Sequence, residues 1–221
     1  MIVQYIEARS PALPDAPAAI LGEQMKSDLI GVSRDLDAGE VIEAYKHGAF
    51  PMGGRRMITW HCPDVRALLP LDRFHVSRSL ARTLKRAAFD VTYDKAFRSV
   101  MLGCADRSET WIDQRILRVY TELHRLGHAH SVEVWIEGTL AGGVYGVQIG
   151  GAFFAESMFH RVTGMSKVAL AALVSRLRKR EFALLEVQYL TPHLASLGAI
   201  EVDFDSYIQR LAPSLELDCR F

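Results

Sequence analysis

The sequence predicts an α+β protein built on a mixed, largely antiparallel sheet. From His130 the apolar period changes from helical to alternating. Glu137-Gly138 and Gly150-Gly151 then separate consecutive alternating segments, as hairpin turns do. Amphipathic helical patterns lie on both sides of this stretch.

Taken in chain order, residues 1–27 are rich in Ala and Pro and read as a loosely held arm. Residues 40–47 form a short helical pattern, with Val41, Ile42 and Tyr45 on one side and Gly48 placed to end it. Pro51, Gly53 and Gly54 mark a loop, and residues 60–69 return to extended chain around Cys62-Pro63-Asp64. Ser77 has the chemistry to cap a second helix reaching about Ala88. A third follows Trp111, its stripe made by Ile112, Ile116, Val119, Tyr120, Leu123 and Leu126, with Gly127 closing it.

Val132, Val134 and Ile136 alternate with polar residues, and the glycine pair joins residues 144–149 to 152–159 as a hairpin. Ser166 is placed to cap a helix whose buried stripe is Leu170, Leu173, Val174 and Leu177. Residues 183–189 form a near-continuous apolar strand of the kind buried on both faces. Its polar members, Glu186 and Gln188, sit two apart and share a face.

The chain has 221 residues, 49% of them apolar and 24% charged, enough for one large domain or a domain with a small companion. Acidic and basic residues balance at 26 each, so any contact with nucleic acid must come from a local patch. Cys62, Cys104 and Cys219 are odd in number and far apart, which argues against a disulfide framework and a zinc ribbon. The N-terminus carries Glu7 and Arg9 and breaks at Pro11, Pro14 and Pro17, unlike a signal peptide. With no run of about 18 apolar residues, the expectation is a cytoplasmic protein that does not enter membranes.

Glu156, Glu186 and Gln188 lie among apolar strand residues, where a charge is expensive unless paired or used. Either the two carboxylates and the amide gather at a cleft, where they can hold an amine and position a carbonyl, or the glutamates point outward to Arg or Lys. His124, His128 and His130 form a His-x-x-x-His-x-His string, but the first two share a helix face only if the helix continues through Gly127, so a surface or structural role is favoured over a metal. Cys62 beside His61 invites a thiolate-nucleophile reading that nothing else supports. Arg78, Arg82, Lys85 and Arg86 recur at helical spacing, suited to a phosphate backbone or to a solvated face. Neither Gly-x-Gly-x-x-Gly nor Gly-x-x-x-x-Gly-Lys-Ser/Thr occurs, which disfavours a nucleotide-hydrolysing enzyme.

These residues resemble the bacterial leucyl/phenylalanyl-tRNA-protein transferases over about residues 29 to 211. The matching pieces include Gly48-Ala49-Phe50-Pro51, Pro63-Asp64-Val65-Arg66, Glu109-Thr110-Trp111-Ile112, Gly142-Gly143-Val144-Tyr145-Gly146, Glu156-Ser157-Met158-Phe159, Ser166-Lys167 and Leu197-Gly198-Ala199. The resemblance implies a small N-terminal α+β domain, residues 1–68 with the arm, followed by a GNAT-like acyltransferase domain, residues 69–221. It implies transfer of Leu, Phe or sometimes Met from aminoacyl-tRNA to proteins beginning with Arg or Lys, marking them for N-end-rule degradation. No coenzyme A loop is complete: Gly151 follows Gln148 at the right spacing, but Phe153 holds the last position. No cofactor or metal is expected, and without a heptad seam the default is a monomer.

By motif position, Glu156 is similar to the family residue that hydrogen-bonds the acceptor or aminoacyl amino group, and Gln188 to the catalytic amide, supported by Glu186. Trp111, Phe153, Met158, Leu170, Leu173 and Leu185 would help form an apolar pocket for the transferred side chain. With the family in view, Arg78, Arg82, Lys85 and Arg86 are expected on tRNA phosphates. The sequence departs from the family pattern at Glu186, usually Asp, at Met52, usually Trp, at Ser33-Arg34, usually Gly-Gly, and at Trp60-His61-Cys62-Pro63, usually Trp-Ser-Pro-like. A noncatalytic aminoacyl-tRNA-binding relative, or a transferase with altered donor and acceptor preference, is therefore the alternative.

Overall fold

The computed structural model describes residues 28–86 and 88–221, so the expected arm over residues 1–27 lies outside the described residues. The described chain begins with strand β1 (Leu29–Ser33), helix α1 (Ala38–Lys46), β2 (Phe50–Gly53) and β3 (Ile58–His61). The three strands pair antiparallel in the order β1-β3-β2. Asp37 caps α1 by accepting from the N–H groups of Gly39 and Glu40, and Gly48, at φ 79, leads the chain out. The loop expected at residues 51–54 is corrected to strand β2. Pro51 is tolerated there because β2 is an edge, where a missing N–H breaks no ladder.

The change of sheet falls between His61 and β4 (Val65–Leu68). Beyond it come a short 3₁₀ turn (Leu71–Arg73), α2 (Arg78–Arg86), β5 (Asp90–Tyr93), α3 (Phe97–Ala105), α4 (Gln114–Arg125), β6 (Ala129–Ile136), β7 (Thr139–Ile149) and β8 (Ala152–His160). Then follow α5 (Met165–Lys179), β9 (Leu184–Gln188), α6 (Pro192–Ala195), β10 (Ile200–Asp203) and α7 (Phe204–Leu215). Seven strands form one sheet in the order β10-β4-β9-β8-β7-β6-β5. Only β8 and β9 run parallel; the remaining neighbours are antiparallel, as an α+β mixed sheet requires.

Successive side chains of these strands go to opposite faces and make two cores. One holds Tyr145, Val147 and Phe154 with α1, α3, α4 and α7; the other holds Val144 and Phe153 with α5 and Leu80 of α2. Glu137 and Gly138 both take positive φ, the geometry of a primed turn between β6 and β7. Gly150, at φ 57, turns β7 into β8 with its Cα so close to the Leu215 carbonyl that a side chain would clash.

Two helix starts differ from expectation. The helix expected directly after Trp111 begins at Gln114, because the Asp113 carboxylate caps it by reaching the N–H groups of Arg115 and Ile116. Ser166 lies inside α5 and bonds His160 instead; Gly164, at φ 89, is the cap because the chain must reverse there. Helix α3 is an addition to the expected elements, although Phe97, Val100, Met101 and Cys104 recur at helical spacing; a Cβ at Gly103 would sit 2.7 Å from the Phe159 ring, so the glycine is a packing site. Helix α7, which contains Pro213, is a second addition. Among the described residues no helix is long and apolar enough to cross a membrane.

Candidate active site

The site is built where β8 and β9 part. Their parallel pairing covers Ala152 with Leu184, Phe153 with Leu185 and Phe154 with Glu186. Beyond that point β8 runs on to His160 while β9 stops at Gln188. On the other side of β8, Tyr145 pairs with Ser157 but Gly146 pairs with Ala155, leaving Glu156 as the extra residue of a bulge. Only glycine fits at position 146, since a Cβ would lie 2.2 Å from the Phe154 carbonyl. The bulge turns Glu156 toward the tyrosines of the first core.

Gln188 ends β9 in a backbone conformation rare for a residue with a side chain. Its φ is 61, and the Tyr189 N–H donates back to the Val187 carbonyl at 2.8 Å, closing a γ-turn of the strained, positive-φ hand. Such a conformation costs on the order of 1–3 kcal/mol and persists only where the surroundings enforce it.

The outcome is a bond across the gap: Gln188 Nε2 donates to Glu156 Oε1 at 3.0 Å. The Tyr45 hydroxyl donates to the same oxygen at 2.5 Å, and Tyr45 and Tyr120 are 2.7 Å apart. Oε2 has only a long contact with the Tyr120 hydroxyl, at 3.4 Å. Burial pushes the Glu156 carboxyl up to about 8, against the Tyr45 hydrogen bond and with help from the nearby Glu186 charge. Among the described residues Glu156 has neutral donors around it and no guanidinium bonded to it.

Glu186 is held otherwise. Its carboxylate forms a buried ion pair with Arg66, and Tyr207 donates to Oε2 at 2.6 Å. Arg66 also donates to the Gly48 carbonyl and lies between the rings of Phe50 and Tyr207, 5.2 and 4.6 Å from their centroids. Neither reading of the glutamates holds whole: both turn inward, one paired with Arg and one not. Glu186 does not bond Gln188 directly: the amide bonds Glu156, while Glu186 bonds Arg66 and Tyr207. Arg66, Tyr45, Tyr120 and Tyr207 were missed as members of this network. An arginine inside Val65-Arg66-Ala67-Leu68 was the available signal, since a strand of that composition buries its charge only with a partner.

The apolar candidates do not share one chamber with the carboxylates. Phe153, Leu170, Leu173 and Leu185 are buried in the second core, with Met158 packed against it, on the opposite face of the sheet from Glu186. Trp111 packs on the first core, and its carbonyl accepts from the Gly53 N–H at 2.9 Å. Beside it opens a cavity of about 410 Å³ lined by Gly53, Gly54, Arg55, Thr110, Asp113, Gln114 and Arg115.

Arg78, Arg82 and Lys85 are exposed on α2, where Ser77 Oγ accepts from the Leu80 N–H. Arg86 ends the helix, and its side chain lies outside the described residues. Gly127, at φ 82, ends the sequence of α4, and the histidines go to separate tasks: His124 Nδ1 bonds the Ala129 carbonyl, and His130 Nδ1 bonds Asp94 at 2.8 Å.

The family model described as leucyl/phenylalanyl-tRNA protein transferase matches residues 68–212, and that of the corresponding N-terminal domain matches residues 34–64. A leucyl/phenylalanyl-tRNA–protein transferase of Salinibacter ruber is 52% identical over 185 residues, covering 83% of this chain and 82% of that protein. One from Cereibacter sphaeroides is 53% identical over 184 residues, covering 82% and 86%. A solved ribosomal-protein-alanine N-acetyltransferase from Brucella melitensis biovar Abortus 2308 is 14% identical, with a TM-score of 0.39 over 50% of this chain and 87% of that one.

Proposed function

We propose, from the premise that this chain belongs to the leucyl/phenylalanyl-tRNA protein transferase family, that peptide-bond formation takes place at the Glu156–Gln188 bridge. The chain is an aminoacyltransferase that uses aminoacyl-tRNA as donor and a protein as acceptor. One observation supports the placement above others: a strained Gln backbone aims its amide across the parting of two strands at a buried carboxylate that has no cationic partner among the described residues.

The donor is already an activated ester, so the protein must chiefly orient it and handle one proton. The aminoacyl carbonyl is placed at the parting of β8 and β9. On the apolar face the donor side chain, Leu, Phe or in some cases Met, meets Met158, Phe153, Leu170, Leu173 and Leu185. On the polar face the N-terminal amine of an acceptor beginning with Arg or Lys meets Glu156. With Nε2 engaged, the Gln188 carbonyl oxygen is left to accept an N–H from the attacking amine.

A terminal amine has an ordinary pKa of about 7.7–8.0. Glu156, raised to about 8, therefore exchanges a proton with it at little cost. The amine nitrogen attacks the ester carbon, the bond to the ribose oxygen breaks, and the proton lost by nitrogen ends on that oxygen. Glu186, fixed by Arg66 and Tyr207, raises the proton affinity of Glu156 by its charge. Trp111 lies near the donor end, and the exposed Arg78, Arg82 and Lys85, with Arg86, meet tRNA phosphates. Division of labour between residues 1–68 and 69–221 follows the same scheme, and the marked products enter N-end-rule degradation.

The test is transfer of labelled Leu, Phe, Met, Asp or Glu from charged tRNA to peptides beginning with Arg, Lys, Asp or Glu. Wild-type protein is expected to pass Leu and Phe to Arg- and Lys-started peptides, and Gln188→Ala to bind tRNA but not transfer. Unchanged transfer by Gln188→Ala removes that residue from the mechanism.

A further inference from the structure

Tyr189 does two things at once. Its N–H closes the γ-turn at Gln188, and its hydroxyl donates to Asp28 Oδ2 at 3.1 Å. Asp28 is stitched into the N-terminal sheet through its own carbonyl, which accepts from the Cys62 N–H at 2.8 Å. The Tyr189 ring also meets Phe50 of β2 edge-on, with centroids 6.0 Å apart. The residue that enforces the unusual backbone of Gln188 is thus anchored outside the large sheet.

The same N-terminal unit reaches the other two polar residues. Tyr45 of α1 donates to Glu156, and the Gly48 carbonyl holds the Arg66 that pairs with Glu186. Each of the three is tethered to residues 28–50, directly or through a neighbour. A free Gln188 would relax toward negative φ, because the positive-φ turn is costly for any residue with a Cβ. Relaxation swings its amide away from Glu156, since the side chain leaves the backbone along a new direction.

We propose that Tyr189 is a positioning residue for transfer: its bond to Asp28 locks the turn that points the Gln188 amide at Glu156, so the N-terminal unit sets the geometry of the reaction. This inference rests on the role proposed for Gln188. Toward the Tyr189 hydroxyl Asp28 acts as an acceptor, which Asn can also supply and Ala cannot.

Transfer of labelled Leu to an Arg-started peptide is measured for the full chain carrying Tyr189→Phe, Asp28→Ala, Asp28→Asn, and Tyr189→Phe with Asp28→Ala. Rates are scaled to the folded fraction read from thermal melts at the assay temperature. Tyr189→Phe and Asp28→Ala are expected to lower kcat roughly 10- to 100-fold, the scale of a small misplacement, with KM for aminoacyl-tRNA unchanged. Asp28→Asn is expected to keep the wild-type kcat, and the double variant to be no worse than either single one. Wild-type kcat in Tyr189→Phe, equal losses in Asp28→Asn and Asp28→Ala, or a multiplied loss in the double variant overturns the proposal. Gln188→Ala, run alongside, separates the two ideas. If it transfers normally, the role of Gln188 falls and the positioning claim falls with it. If it does not transfer while Tyr189→Phe does, the positioning claim alone falls.

Discussion

Gln188 reaches Glu156, 3.0 Å from Nε2 to Oε1, by means of a backbone at φ 61, so this bond between the two parted strands is made by a residue under strain. The strain and the contact belong together. An unstrained Gln188 would continue the extended path of β9.

Replacing Gln188 separates these contributions. Gln188→Ala and Gln188→Gly both lose the amide and are expected to lose transfer by about 100-fold or more. Their stabilities differ, because glycine accepts positive φ and alanine does not, so Gln188→Gly should be more stable by about 1 kcal/mol. Urea denaturation of the two variants measures the difference; equal stability would mean that the turn is not strained.

Glu186 behaves as a structural charge. Glu186→Ala leaves the Arg66 guanidinium buried without its carboxylate and should cost about 3–5 kcal/mol. Replacing the pair together, Arg66→Met with Glu186→Leu, should recover much of that loss, since no unpaired charge remains. Denaturation midpoints of the single and double variants decide this, and a double variant as unstable as Glu186→Ala would contradict it.

The raised Glu156 carboxyl makes stability depend on pH with a definite sign. Its folded value is about 8 against an ordinary 4.5, so between these values the folded chain binds more protons than the unfolded chain. The stabilising contribution is complete below about 4.5, declines as pH rises, and is lost above about 8. Glu156→Gln, which cannot ionise, should therefore gain stability relative to wild type as pH rises through this window. A stability difference that stays constant from pH 5 to pH 9, values chosen to lie roughly on either side of it, would show that Glu156 is not perturbed.

The exposed face of α2 should act through charge alone. Reversing Arg78, Arg82 or Lys85 to Glu is expected to weaken tRNA binding and to lower the salt dependence by about one released ion per site. Stability should change by no more than about 0.5 kcal/mol, because each side chain lies in solvent. Binding titrations at several salt concentrations test both parts; an unchanged salt slope in all three variants would take tRNA off this face.

The sequence by itself determined the secondary elements whose signals are local. Glu137-Gly138 and Gly150-Gly151 announced their turns because positive φ is a property of single residues, and the stripe of Ile116, Val119, Tyr120 and Leu123 announced α4 because helical period needs no partner. Alternation likewise put Glu186 and Gln188 on one face of β9 before any coordinates were known. Motif order supplied the family and hence the reaction.

Only the tertiary structure decided which groups meet. Arg66 lies 120 positions from Glu186, and Tyr45 lies 111 from Glu156, separations that no local pattern encodes. The bulge at Glu156 reset the alternation of β8, so Met158 falls on the same face as Phe153, a shift visible only in the pairing with Gly146. Gly103 lies inside α3, where the Phe159 ring leaves no room for a Cβ, and Pro213 lies inside α7. Backbone preference is written residue by residue, whereas the charge state of a carboxyl and the strain of a turn depend on what the rest of the fold brings against them.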